Sequence, residues 1–439
     1  MRFVSKKLYL SGSDWVINLL DYLTKTKTSA GGCSSQIVLV LDSPVDAELL
    51  QGKLTRFLQE FPLIRGTVTR DLNLAPYWKI PKKPADTPQI EIHRLEDTRT
   101  DLFPLLESSV NRQFKTEDEH LAFRLIECGG RESFLVMTFD HLLFDAFGAE
   151  AFLNLFREFL ASDDISQVSK GLVLAAPAQL SEWMKKFYAG RNVNRKMIAL
   201  SASPPEALSL PLQTSGDFHF RLISFDTQET AKIYETAYAT AGYLMEVCFL
   251  LPVIIQTVHQ LFAGRGVPSS NCLVPMSINL RTGKDIRAEI FLNHVSYIFF
   301  QIPTDLHFDG LIAAVKEQMY DQVKSGLSQD IVDASLLTRI APLALLKVVS
   351  RLPFKGKIAS FCFSHLGRSA YLAPELNGVT VRNLFHMPRL PVPPGLGFFF
   401  NCFNGRLNLM ISYLDGLLSE EEAITLETGI RHGLTACQS

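Results

Sequence analysis

Between Phe134 and Gly148 the chain reads Phe-Leu-Val-Met-Thr-Phe-Asp-His-Leu-Leu-Phe-Asp-Ala-Phe-Gly, which places an imidazole, His141, four residues before a carboxylate, Asp145. Alternation along a strand puts His141 on the face of Leu135, Met137 and Phe139 and turns Asp140 the other way. An imidazole closing such an apolar run sits in a low-dielectric setting, which disfavours its charged form and keeps it available as a base. Asp145 falls in the turn that follows, at the start of a helix, where exposed N–H groups favour a carboxylate. The spacing alone is a weak pattern among ten histidines. A packed core histidine beside a helix-capping aspartate satisfies it equally well.

Mixed strands and helices hold this segment. Gln36–Leu41 reads as a strand. Ser43-Pro44 introduces a helix whose Leu50, Leu54, Phe57, Leu58 and Phe61 recur at helical spacing, and Pro62 stops it. Leu63–Arg70 reads as the next strand, and a Pro/Lys-rich loop from Pro76 to Pro88 leads to a helix near 104–115. Strands at 121–128 and 133–141 are joined by Gly129-Gly130, a hairpin signal. Phe152, Phe156, Phe159 and Leu160 then share one face of a helix.

Residues 166–217 change character, with polar and Pro-containing stretches around one amphipathic segment bearing Trp183 and Phe187. They read as a linker or crossover between an N-terminal half, 1–165, and a C-terminal half, 218–439, each of ordinary domain size. In the second half Asn404-Gly405 signals a two-residue hairpin, and Ser419 with Glu422 a capping box for the last helix.

With 439 residues, 47% hydrophobic and 20% charged, the chain has material for a large core, so global disorder is excluded. The formal charge of −2 carries no nucleic-acid footprint. The 31 phenylalanines suit a large core or a greasy substrate channel. Seven scattered cysteines without a Cys-x-x-Cys read as buried thiols in a reducing compartment. No apolar stretch follows the first basic residues, and the run Val247–Val258, broken by Pro252, is too short to span a bilayer. A cytoplasmic protein with no transmembrane segment is expected. His294, His365 and His386 lack ligand spacing, so no metal is expected. The stretch from Leu336 to Lys357 carries Arg339, Lys347, Arg351, Lys355 and Lys357. It reads as a core helix with basic edges, the other reading being contact with a coenzyme phosphate or an anionic membrane surface.

The segment around His141 resembles the His-His-x-x-x-Asp-Gly motif of the superfamily of chloramphenicol acetyltransferase, nonribosomal peptide synthetase condensation domains and stand-alone acyltransferases. Further segments resemble that family in order. They are Val45–Leu50 with Phe61-Pro-Leu-Ile-Arg65, Val274-Pro-Met-Ser-Ile-Asn-Leu-Arg281, Asn293-His-Val-Ser, Ser364-His-Leu-Gly and Phe403–Tyr413. The resemblance implies an α/β fold of mixed sheets, two similar halves forming a V-shaped pseudo-dimer with a central tunnel. It implies acyl transfer from a coenzyme A or carrier-protein thioester to a small-molecule hydroxyl or amine, with His141 as general base. No permanently bound cofactor is implied; acyl-CoA or a phosphopantetheinyl carrier protein is the donor, and the setting is natural-product biosynthesis. Asp145 would pair with Arg65 to brace the motif loop, and Asn293 is the candidate oxyanion donor. Asp140 stands where the motif has its first histidine and Ala146 where it has glycine, with Gly148 two residues on. These departures leave a second reading, a module that binds an acyl ligand or carrier protein without turnover.

Overall fold

The computed structural model describes residues 7–26, 28, 32–81, 87–96, 98–168, 182–203, 205–267, 270–281, 289–351 and 356–436. In chain order the elements are β1 (Leu8–Tyr9), α1 (Gly12–Lys25), β2 (Ser34–Leu41), α2 (Ala47–Leu58), β3 (Thr67–Arg70), β4 (Pro76–Lys79) and β5 (Ile90–Leu95). Next come α3 (Thr98–Asn111), β6 (Leu121–Cys128), β7 (Glu132–Asp140), α4 (Ala146–Ser162), α5 (Ile165–Val168) and α6 (Trp183–Ser201). The chain continues as β8 (Phe218–Ser224), α7 (Thr227–Ala241), α8 (Val247–Gly264), β9 (Asn271–Asn279), β10 (Val295–Pro303), α9 (Phe308–Ser325), α10 (Leu327–Thr338) and α11 (Leu343–Arg351). It closes with β11 (Cys362–Arg368), β12 (Glu375–Leu376), β13 (Val379–Pro388), β14 (Leu396–Phe403), β15 (Arg406–Leu414) and α12 (Glu420–Thr435).

Local chemistry sets most of these boundaries. Asp145 caps α4 by accepting from the Gly148 N–H, and Ser419 with Glu422 closes a reciprocal capping box on α12. Gly129 and Gly130, and Asn404 and Gly405, all take positive φ, which turns β6 into β7 and β14 into β15. The expected strand Leu63–Arg70 is shorter than its apolar residues suggest. Pro62–Arg65 makes a 3-10 turn that Pro62 opens, and the strand begins only at Thr67.

Two six-stranded sheets carry the two halves. One runs β12-β13-β2-β7-β6-β5, the other β10-β9-β11-β14-β15-β8, and a small third sheet runs β1-β4-β3. The sequential division at 217/218 is not how the sheets divide. β12 and β13 come from the second half of the chain, yet β13 pairs antiparallel with β2, Phe385 opposite Val38 and Met387 opposite Gln36. Residues 375–388 thus complete the N-terminal sheet. The expected linker contains the 19-residue α6, and its residues 169–181 lie outside those described.

One core gathers around α2 and α4, where Phe57, Phe61, Phe144, Phe152, Phe156, Phe159 and Phe291 form a ring cluster. A second is built on α8 and the C-terminal sheet. By length and composition α8 is apolar enough to cross a membrane, but 61% of it is buried inside the protein, as in a core helix. Cys33, Cys128, Cys248, Cys272 and Cys402 are buried and Cys362 is half-buried; Cys437 lies outside the described residues.

Candidate active site

β7 ends at Asp140, and His141 opens the turn into α4, half-buried. Its Nδ1 lies 3.1 Å from Oδ1 of Asn293, two residues before β10. The Asn293 amide nitrogen donates to the His141 carbonyl at 2.9 Å and lies 3.2 Å from Oδ1 of Asp14, in the first turn of α1. The backbone N–H of Asn293 also donates to that Oδ1, at 2.8 Å. This network settles the imidazole tautomer. The Asn293 nitrogen faces two acceptors, so its oxygen must face His141 and can only accept. Nδ1 therefore carries the proton and donates, and in the neutral ring Nε2 presents its lone pair. Nε2 has no hydrogen-bond partner among the described residues, and the His141 side chain is half-buried.

A backbone device aims Asn293. Leu292 takes a left-handed φ of 70°, its N–H donates to the Leu143 carbonyl at 2.8 Å, and it bridges to Phe144. A leucine there costs on the order of 1 kcal/mol or more. The reversal it makes delivers the next residue to both Asp14 and His141.

Asp145 holds the turn from behind. Its Oδ1 accepts the Gly148 N–H at 2.8 Å, and its Oδ2 accepts from Nη1 of Arg281 and from the His294 N–H, each at 2.8 Å. Both side chains of the Asp145–Arg281 pair are 3% exposed. Arg281 spends Nε and Nη2 on the Glu289 carbonyl and lies over the Phe147 ring. Gly148 belongs to the same joint. A Cβ there would stand 2.2 Å from the Ile290 carbonyl oxygen and 3.2 Å from Nη2 of Arg281, so the 289–293 segment can cross α4 only over a glycine.

Asp140 points away from His141, as alternation requires. Its Oδ2 lies 3.0 Å from Nδ1 of His120, whose Nε2 faces the Gly66 carbonyl at 2.8 Å, and its Oδ1 accepts the Leu142 N–H. With an acceptor on each ring nitrogen, the charged form of His120 is favoured. Burial opposes charge on both partners, but the hydrogen bond and attraction between them win, raising His120 and lowering Asp140 from their usual ranges.

No protein-family model and no curated protein matches this sequence. Among solved structures the chain is similar to a trichothecene 15-O-acetyltransferase from Fusarium sporotrichioides, with TM-score 0.70 and 12% identity over 98% of this chain and 96% of that one. It is similar, at TM-score 0.69, 12% identity and the same coverage, to the first condensation domain of the calcium-dependent antibiotic synthetase in complex with a substrate analogue. A starter condensation domain of rhizomide synthetase, in complex with C8-CoA and Leu-SNAC, matches at TM-score 0.66 and 10% identity over 98% and 94% of the two chains. The fold is that of condensation domains.

Within this condensation-domain fold the turn bearing His141 comes from the first half of the chain, and Asn293 and Arg281 from the second. Two residue expectations are corrected. Arg65 does not meet Asp145. It lies in the 3-10 turn, where Nη1 donates to the Asp118 carbonyl at 3.3 Å and Nε stands 3.8 Å from the Asp118 carboxylate. Arg281, from a segment already matched in sequence, takes that place. Asn293 is not free to hold an oxyanion, because its amide N–H groups face the His141 carbonyl and Asp14. Its work is to orient the imidazole. Ala146 is the first residue of α4, half-buried.

Sequence reasoning missed Asp14 and His120. Ser11-x-x-Asp14 was legible as a helix start, and the structure does show that capping box. Nothing local tied it to His141. His294 contributes its backbone N–H to Asp145, and His386 pairs with Glu150 at 2.6 Å. His365 is pushed down by burial and has an unpartnered buried Nε2 among the described residues. No metal-ligand group occurs among the described residues. In the basic stretch Arg339 is buried, and Lys355 lies outside the described residues.

Proposed function

We propose that this chain is an acyltransferase that moves an acyl group from a coenzyme A or carrier-protein thioester to a hydroxyl or amine, with His141 as general base. The observation that carries the reading is the tautomer lock, an imidazole whose Nδ1–H is held by Asn293 and whose Nε2 has no hydrogen-bond partner among the described residues. In the reaction Nε2 takes the proton of the acceptor O–H or N–H as its heteroatom attacks the thioester carbonyl. The C–S bond then breaks, the new ester or amide C–O or C–N bond remains, and the thiolate leaves with the proton carried by Nε2. A positioned base of this kind contributes roughly 10²–10⁴ in rate, and seating both substrates at one imidazole supplies proximity.

Neighbours in fold support the class. One is an O-acetyltransferase, and another was solved with an acyl-CoA and an aminoacyl thioester analogue. The Asp145–Arg281 pair serves the chemistry indirectly by clamping the turn that carries His141 to the second half of the chain.

Thiol release from a panel of acyl-CoAs with hydroxyl and amine acceptors tests the proposal. H141A should lose roughly 10²–10⁴ in turnover while keeping the wild-type circular dichroism spectrum. Turnover unchanged in H141A removes the base assignment. Acyl-ligand binding with no turnover in the wild type selects the non-catalytic module instead.

A further inference from the structure

The helix between the two halves turns its greasiest side outward. On α6, Trp183 is 51% exposed, Met184 66%, Phe187 60%, Tyr188 60% and Ile198 61%. At 3.6 residues per turn these five side chains fall within one arc of about 140°. Arg191 and Arg195, both exposed, lie inside the same arc. The opposite arc holds the buried Lys186, Ala189 and Leu200, and Gly190 faces Leu337 of α10. A surface helix ordinarily buries its apolar stripe; α6 reverses that arrangement.

Charge narrows the choice of what covers this face. From Trp183 to Ser201 the helix carries Lys185, Lys186, Arg191, Arg195 and Lys196 and no Asp or Glu. Carboxylates approach it on the flank and at the start: Asp330 of α10 stands 3.0 Å from Asn192, Asp333 of α10 3.3 Å from Lys185, Glu182 just before the helix 3.8 Å from Lys185, and Asp321 of α9 acts on Lys196. The outward arc itself is aromatic, aliphatic and cationic. Rings with an apolar body and a polar tip settle at the headgroup level of a bilayer, and guanidinium groups meet phosphate oxygens in pairs.

We propose that the outward face of α6 docks this protein peripherally on an anionic lipid surface. Trp183, Phe187 and Ile198 enter the headgroup boundary while Arg191 and Arg195 meet lipid phosphates. The inference stands independently of the acyl-transfer reading.

The chain carries its own probe, because Trp15 and Trp78 are 1% exposed and Trp183 is the remaining tryptophan. Full-length protein mixed with phosphatidylcholine vesicles containing phosphatidylserine should co-sediment and show a blue-shifted tryptophan emission. Both signals should be absent with pure phosphatidylcholine and weaken as salt is raised. W183S/F187S, followed by sedimentation alone, and R191E/R195E should each reduce the bound fraction more than about tenfold, with Tm unchanged. Failure to bind the anionic vesicles overturns the proposal, as does binding that neither variant changes. A concentration-dependent dimer that W183S/F187S dissolves, without vesicle binding, assigns the face to a second copy and equally overturns it.

Discussion

At the residue scale, a weak base such as imidazole is useful only if the correct nitrogen is free, and Asn293 makes that choice. N293A removes the acceptor for Nδ1–H, so the ring can populate the other tautomer or rotate. Turnover should fall, by less than the roughly 10²–10⁴ cost of H141A, with KM for the acyl donor little changed. The check is steady-state kinetics of both variants; equal activity in N293A and wild type contradicts the lock. The two arginines give a sharper contrast. R281A leaves Asp145 buried without its counter-ion, which costs about 3–5 kcal/mol. Arg65 and Asp118 are partly exposed and loosely paired, so R65A should cost about 0–1 kcal/mol. Urea unfolding of the two variants measures both, and a reversed order would restore Arg65 as the brace.

At the scale of elements, the β7–turn–α4 unit is fastened by a charged pair at one end and by apolar rings at the other. The N-terminal fastening is the His120–Asp140 pair, and its pH dependence has two edges. His120 is raised above its usual 6.5, so its contribution is complete below that value and fades as pH climbs through the raised folded value. Asp140 is lowered below 3.8, so its contribution is complete above that value and fades as pH falls through the lowered one. The pair therefore stabilises most between about pH 4 and 6.5. Thermal unfolding of wild type and H120Q should show the widest gap in that interval and a narrowing gap on the alkaline side. A gap that widens with rising pH would mean that His120 is buried neutral. The C-terminal fastening is α4 itself, whose Phe152, Phe156 and Phe159 anchor it in the ring cluster.

At the scale of the whole molecule, the two halves are not separable modules. β13 reaches from residues 379–388 to pair with β2, and Asp145–Arg281 and His141–Asn293 cross between the halves beside the imidazole. Expressed alone, residues 1–217 lack the strand that covers β2, and residues 218–439 leave β12–β13 without a sheet to join. Neither piece should show a cooperative thermal transition, and calorimetry of the separate chains is the check. A sharp transition in either would mean that the crossing strand is dispensable.

What the chain encodes locally was legible without coordinates. His141 closing an apolar run, Asp145 as a cap, the Asn404-Gly405 turn and the Ser419–Glu422 box are contacts within a few residues, where periodicity and side-chain reach leave few alternatives. The condensation-domain resemblance rested on short segments too, from Val45–Leu50 and Phe61–Arg65 through the His141 turn to Val274–Arg281, Asn293–Ser296, Ser364–Gly367 and Phe403–Tyr413, and the fold agrees with it. The partners were not legible. Arg65 and Arg281 carry the same charge in sequence, and only packing decides which stands 2.8 Å from a carboxylate 136 residues away. Asn293 likewise read as a free amide until Asp14, from the opposite end of the chain, took its donors. Pairings over such separations are selected by how sheets and helices close on one another, which no local pattern records.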